Sequence, residues 1–260
     1  MNVFQNVYAY RELLKTNVKK DIRGKYKGSV LGILWSFINP LLQVVVYWIV
    51  FPYLMRGTMD NYLIYLITGI IPWNFFLVTM NAGTASIKVN IQIIKKVYFP
   101  REILIISQTV SGVINFFISC IIILAFCLGT GVGISIHLVV VPIIVFIEAV
   151  FLLGLTFITS AVNAYIQDLE YIVTFLTTLL MYGTPIIYSL DLFKGSKSIL
   201  YTMIQINPMT TIVNSYRDAF LYHQWPNFYA LGLVFLLALV ILIFGYWVFK
   251  KLEKGFAEVM

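Results

Sequence analysis

Apolar residues in this chain gather in long runs separated by short basic connections. Six runs, residues 31–54, 62–87, 103–128, 138–166, 171–189 and 228–249, reach the roughly 20 apolar residues that a helix needs to cross a bilayer. Ahead of the first run, residues 8–27 follow a different rhythm. Val7, Tyr10, Leu14, Val18, Ile22 and Tyr26 form one stripe on a helical period, with Glu12, Lys15, Lys19, Lys20, Arg23 and Lys27 on the other faces. The pattern predicts an amphipathic helix in the membrane interface, resting on lipid or on a partner surface.

The basic residues give the runs a direction. With the N-terminus inside, every Lys and Arg except Arg56, Lys194, Lys197 and Arg217 falls on the cytoplasmic side, as the positive-inside tendency requires, and both termini are cytoplasmic. Residues 198–222 are long enough for a seventh span, but a full crossing places Lys250, Lys251 and Lys254 outside and puts Arg217 and Asp218 in lipid. Pro208 also breaks that stretch. Two short re-entrant helices at the outer face fit better, with Arg217 reached through an aqueous mouth or paired with a carboxylate.

Composition agrees with an integral membrane protein. Hydrophobic residues make up 60% of the chain and charged ones 11%, too little polar surface to coat a soluble globule of this length. The fold expected is therefore an all-α integral membrane protein with six transmembrane helices, an N-terminal interfacial helix and two re-entrant outer helices. It forms one transmembrane domain over residues 1–260, divided into the interfacial helix (1–30), the bundle (31–250) and a cytoplasmic tail (251–260). No cleavable leader is expected, because the first apolar run starts near residue 31 and is long enough to span. The net charge of +7 flanks spans and forms no soluble patch, which argues against nucleic acid as a partner.

Signals for chemistry are sparse. The phosphate-loop, serine-elbow and zinc-helix motifs are missing, and His137 and His223 fall near outer ends of spans, so neither a metal site nor a catalytic centre is expected. Cys120 and Cys127 sit seven apart on one helix, too far for a bridge, and read as packing residues. Polar residues inside spans say more. Ser36, Asn39, Gln43 and Tyr47 recur at helical spacing in the first span, and Tyr171, Thr174, Thr178, Tyr182 and Pro185 in the fifth. Each stripe either bonds a neighbouring helix or lines a conduit. Glu148, deep in the fourth span, is structural support or a proton-linked group. Gly24, Gly28 and Gly32 permit a bend or a close helix contact. The connection at residues 88–102 is amphipathic, too short to span, and ends at Pro100; it is a solvated loop or a docking element for a cytoplasmic partner.

Several segments, in this order, carry a resemblance: residues 26–35 (YKGSVLGILW) with Pro40, 69–76 (GIIPWNFF), 96–101 (KVYFPR), 168–170 (DLE), 184–188 (TPIIY), 207–209 (NPM) with Tyr216 and Arg217, and 250–254 (KKLEK). Together they resemble the permease subunit of ABC exporters for lipid-linked surface polymers, the O-antigen and wall teichoic acid class. The resemblance implies a homodimer in the bacterial cytoplasmic membrane, bound to two copies of a separate ATPase that holds the ATP and Mg, with no cofactor in this chain. It implies a channel lined by the first and fifth spans, with Trp35, Ser36, Asn39, Gln43, Tyr47, Trp73, Thr174, Thr178, Tyr182 and Pro185 as candidates. ATPase coupling falls to Lys19 and Arg23 of the N-terminal helix and to Ile94, Lys95, Lys96, Tyr98, Phe99, Pro100 and Arg101. Asn207, Pro208, Met209, Tyr216 and Arg217 form the outer gate. A drug or small-lipid exporter is the competing reading within transport; an ion-coupled carrier or a membrane-bound transferase competes from outside it. The polymer stays open between O-antigen and teichoic acid.

Overall fold

The computed structural model describes residues 3–24, 34–55, 61–190 and 199–256, and every regular element among them is helical. Tyr26, Gly28, Gly32, Arg56, Lys194 and Lys197 lie outside the described residues. Four helices are long and apolar enough to cross a bilayer: α4 (Tyr62–Val89), α6 (Glu102–Gly129), α7 (Val141–Asn163) with the 3-10 turn that precedes it, and α11 (Phe228–Glu253). They coincide with the second, third, fourth and sixth apolar runs.

The N-terminal helix is divided in two, α1 (Val3–Ala9) and α2 (Arg11–Gly24), at Tyr10. α2 lies along α6 of the same chain, Val18 is buried, and Gln108 Nε2 donates to Asp21 Oδ2 at 2.9 Å. α1 is anchored separately, by Asn6 Nδ2 donating to the buried Glu102 at 2.8 Å.

α3 (Trp35–Met55) covers the first run. The fifth run departs from expectation: α8 (Leu169–Tyr182) has 14 residues, about 21 Å, well short of the ~30 Å apolar core. Gly183 is a poor helix former and Pro185 drives the residue before it out of the helical region, so the helix stops although the sequence stays apolar. The chain continues without regular structure through Thr184, Pro185, Ile186 and Ile187, all buried.

Two short helices follow, α9 (Ile199–Ile206) and α10 (Pro208–Phe220), close to the pieces expected on either side of Pro208. Asn207 caps α10 through its side-chain oxygen, which accepts from Met209 N at 2.9 Å, and Pro208 occupies the first helical position, where its missing N–H costs nothing. α10 is almost wholly buried, packed on α4, α7 and α11.

The main core joins Phe75, Phe76, Phe116, Phe151 and Tyr216 in the middle of the bundle. A second, smaller core of Ile87, Phe99, Leu104, Phe157, Phe249 and Phe256 closes the end that carries the lysines. α7 and α11 approach most closely where Gly154 faces Gly245: a Cβ on Gly245 would run into Gly154 O, and one on Gly154 would meet Leu242 N at 2.7 Å. Between apolar helices in lipid, such small-residue contact supplies the packing attraction that water exclusion cannot.

Candidate functional site

Three regions concentrate polar side chains. The first is a groove between α3, α4 and α6. Its larger part, about 460 Å³, is lined by Trp35, Asn39, Gln43, Asn74, Asn115 and Ser119, over the rings of Phe75 and Phe116. A second part of about 370 Å³ meets it at Val78, Thr79, Gly112 and Asn115 and runs to Lys20, Asp21 and Gln108 at the lysine-bearing end. Burial pushes the Asp21 carboxyl up from its ordinary value, against the opposing pull of the Gln108 bond and of Lys20.

The groove collects only part of the expected channel set. Trp35, Asn39 and Gln43 line it, and Gln43 Nε2 reaches Tyr47 Oη at 3.2 Å; Ser36 falls in the first turn of α3. Trp73 does not join them, because it is 1% exposed and packs against Phe76. The stripe of α8 lies elsewhere. Thr174, Thr178 and Tyr182 are exposed on one face, while α8 itself packs on α4 and α7. Within one chain, therefore, the two predicted stripes do not face a common space.

The second region is the connection after α4. α5 (Ile91–Ile94) is a single turn, after which Lys95, Lys96, Val97 and Tyr98 project outward, Tyr98 being 93% exposed. Ile94 and Phe99 point the other way and pin the loop to the smaller core. Arg101 is not free for a partner: it donates to Glu253 O at 2.5 Å and lies over the Phe256 ring. Pro100 is half-buried beside it. Lys19 is exposed on α2, and Arg23 lies in the last turn of that helix. Next to this loop, Glu102 is fully buried and receives Asn6 Nδ2 and Lys250 Nζ, each at 2.8 Å, while Lys250 also reaches Glu253. Sequence reasoning missed this clasp of both chain ends. Its one legible sign was an acid in the first turn of a helix, where the N-terminal dipole favours it.

The third region is at the opposite end, and here the sequence expectation is overturned. Arg217 is 1% exposed; it reaches no aqueous mouth, and none of the ion pairs among the described residues includes it. Its guanidinium donates to Pro185 O at 2.6 Å, Ile186 O at 2.9 Å and Asn214 Oδ1 at 3.2 Å, and lies 3.5 Å over the Tyr65 ring. Tyr62 and Tyr65 hydroxyls donate to Ile187 O and Tyr188 O. The irregular stretch after α8 thus has its carbonyls satisfied by buried donors, the condition for non-helical backbone at membrane depth. Gly69 makes the room: a Cβ there would stand 2.8 Å from the guanidinium. Tyr216, next to Arg217, donates to Glu148 Oε2 at 2.9 Å, joining α10 to α7. Met209 is core.

Asn207 ties the same segments together. Beyond capping α10, its Nδ2 donates to Gly183 O and Thr184 Oγ1, both at 3.0 Å, closing the end of α8. Asn207→Ala removes a cap and two bonds, and is expected to destabilise the fold by about 2 kcal/mol. A lowered melting midpoint of detergent-solubilised protein checks this. Pro208→Ala is expected to change little, because a preformed helix start loses only its stiffened first residue.

The chain that forms this helical bundle belongs to the ABC-2 type transporter family, whose pattern matches residues 12–221. It is 31% identical over 258 residues to the O-antigen export system permease protein RfbA of Myxococcus xanthus, covering 99% of both chains. It is 33% identical over 250 residues to a protein of the same name from Klebsiella pneumoniae, covering 96% of this chain and 95% of that one.

Proposed function

We propose that this chain is the membrane channel subunit of an ATP-driven exporter that moves a lipid-linked cell-surface glycopolymer, of the O-antigen kind named for its relatives, outward across the bacterial cytoplasmic membrane. The chain performs no bond chemistry; ATP and Mg are handled by a separate ATPase, two copies of which serve a homodimer of this chain. The observation that carries the ATP-driven reading is the loop at residues 95–98, thrust out by Ile94 and Phe99, which are sunk in the core. A motor can pull only on an element that both protrudes and is rigidly rooted. The lysine-bearing end faces the cytoplasm in this reading, both termini lie there, and α3 together with α8, lengthened by the buried irregular stretch that follows it, complete the span count at six. Two copies bring the exposed Thr174, Thr178 and Tyr182 faces towards α3 of the partner to form the conduit, while α9 and α10 close its outer mouth.

Deleting the gene from its host tests the function. Loss of the surface polysaccharide with accumulation of lipid-linked polymer inside the cell is the expected result, reversed by the wild-type gene; an unchanged surface overturns the reading. Motor docking has its own test. Lys95→Glu, Lys96→Glu and Tyr98→Ser combined are expected to weaken co-purification of the ATPase by at least about tenfold while membrane insertion persists. Arg101 is left intact in that variant, since it braces the chain's own last helix.

A further inference from the structure

The groove between α3, α4 and α6 holds polar groups that the bundle's packing leaves unused. Thr79 Oγ1 and Asn74 Nδ2 are buried without a partner, Thr79 at 1% exposure. A buried hydroxyl or amide without a bond is costly, and a site that carries two is suited to a ligand that supplies the missing partners. The remaining polar groups of the larger part, Asn39, Gln43, Asn115 and Ser119, are all neutral, and among the described residues no charged side chain lines it.

We propose that this groove is a binding niche within each subunit for uncharged sugar residues of the transported chain, and that it disfavours polyanionic polymers. The inference rests on the glycopolymer reading above and narrows it. Amides and hydroxyls each offer donors and acceptors, the same mixture that a sugar ring presents around its rim. Phe75 and Phe116, with centroids 5.5 Å apart and planes tilted by 38°, are core rings that close the niche from below, and the half-buried ring of Trp35 offers the apolar face for the C–H side of a pyranose. The volume of about 460 Å³ lies in the range of small-ligand sites. Among the described residues, charge enters at the far end, where Lys20 is accompanied by the carboxylate of Asp21. Among the described residues of the larger part, no cation stands ready to meet a phosphate stripped of its water.

The test uses the full chain with its ATPase in lipid nanodiscs, with Cys120 and Cys127 replaced by alanine and one reporter thiol placed by Asn115→Cys. The probes are a neutral oligosaccharide released from the host's own surface polysaccharide and a glycerol phosphate oligomer of equal length. At ~10 times its dissociation constant, the neutral probe is expected to slow labelling by a small water-soluble thiol reagent about tenfold. The glycerol phosphate oligomer is expected to leave the rate unchanged, as is the neutral probe with a Tyr98→Cys reporter on the exposed loop. Should Asn115→Cys prevent folding, Ser119→Cys reports from the same groove. An unchanged rate with the neutral probe, or equal protection by both probes, overturns the niche. Failure of the parent reading registers separately, as a normal surface polysaccharide in the deletion strain.

Discussion

Arg217→Met is expected to abolish recovery of folded protein from the membrane. The guanidinium satisfies Pro185 O and Ile186 O in a stretch that has no helical bonds of its own, and it does so where no water can replace it. Removing it strands Ile186 O and leaves Pro185 O only the long 3.3 Å bond from the Tyr65 hydroxyl, at about 1–3 kcal/mol for the orphaned carbonyl on top of the lost ring contact, a large share of the ~5–15 kcal/mol that holds a typical fold. Arg217→Lys is expected to rescue little, because an ammonium cannot span two carbonyls with a fixed fork or lie flat over Tyr65. Size-exclusion profiles and melting midpoints of the two variants check this. A wild-type profile for Arg217→Met would show that the segment stands without its brace.

Gly245→Val is expected to be nearly as severe. A side chain at that position runs into backbone, Gly154 O and C, and backbone cannot rotate aside as a side chain can. The helices must separate along their whole contact, so the cost reaches or exceeds the ~3 kcal/mol at the top of the usual overpacking range. Gly245→Ala should fall between, and Gly232→Ala, which has open space around it, is the neutral control. Membrane accumulation of the three variants should rank Gly232→Ala, Gly245→Ala, Gly245→Val. Equal accumulation of all three would mean that α7 and α11 are not held by this contact.

What could be read without coordinates follows from what hydropathy senses. Uniformly apolar helices such as α4, α6 and α11 declared themselves within a few residues, because length and composition alone decide whether a segment spans. The fifth run misled for the same reason: Pro185, Ile186 and Ile187 are as apolar outside a helix as in one, and only Gly183 and Pro185 signalled the stop. The split at Tyr10 has no breaker residue to mark it. It arises because Asn6 reaches Glu102 while α2 follows α6, a tertiary choice that local pattern does not carry. Arg217 was placed at a wet surface because a lone cation ordinarily goes there; its carbonyl partners lie about thirty residues upstream. Among glycines, spacing drew notice to Gly24, Gly28 and Gly32, whereas the backbone-to-backbone approach of α7 and α11 is between Gly154 and Gly245, whose separation in sequence gives no sign of contact. Asn39 and Gln43 were recognised as a wet-capable face, but the hydroxyls and amides opposite them on α4 and α6 belong to helices whose mean pattern is apolar.

The clasp at Glu102 sets an order on the making of the protein. Glu102 is built into α6 early in synthesis, yet Lys250, the cation that meets it, leaves the ribosome 148 residues later. Until then the nascent bundle holds a carboxylate without its cation, and burying it unpaired is costly, so the smaller core stays open. Arrival of the last helix completes the ion pair, seats Phe249 and Phe256 against Phe99, and fixes the loop in its protruding posture in one stroke. A chain cut short before Lys250 would therefore leave the loop at residues 95–98 without its finished root in the smaller core.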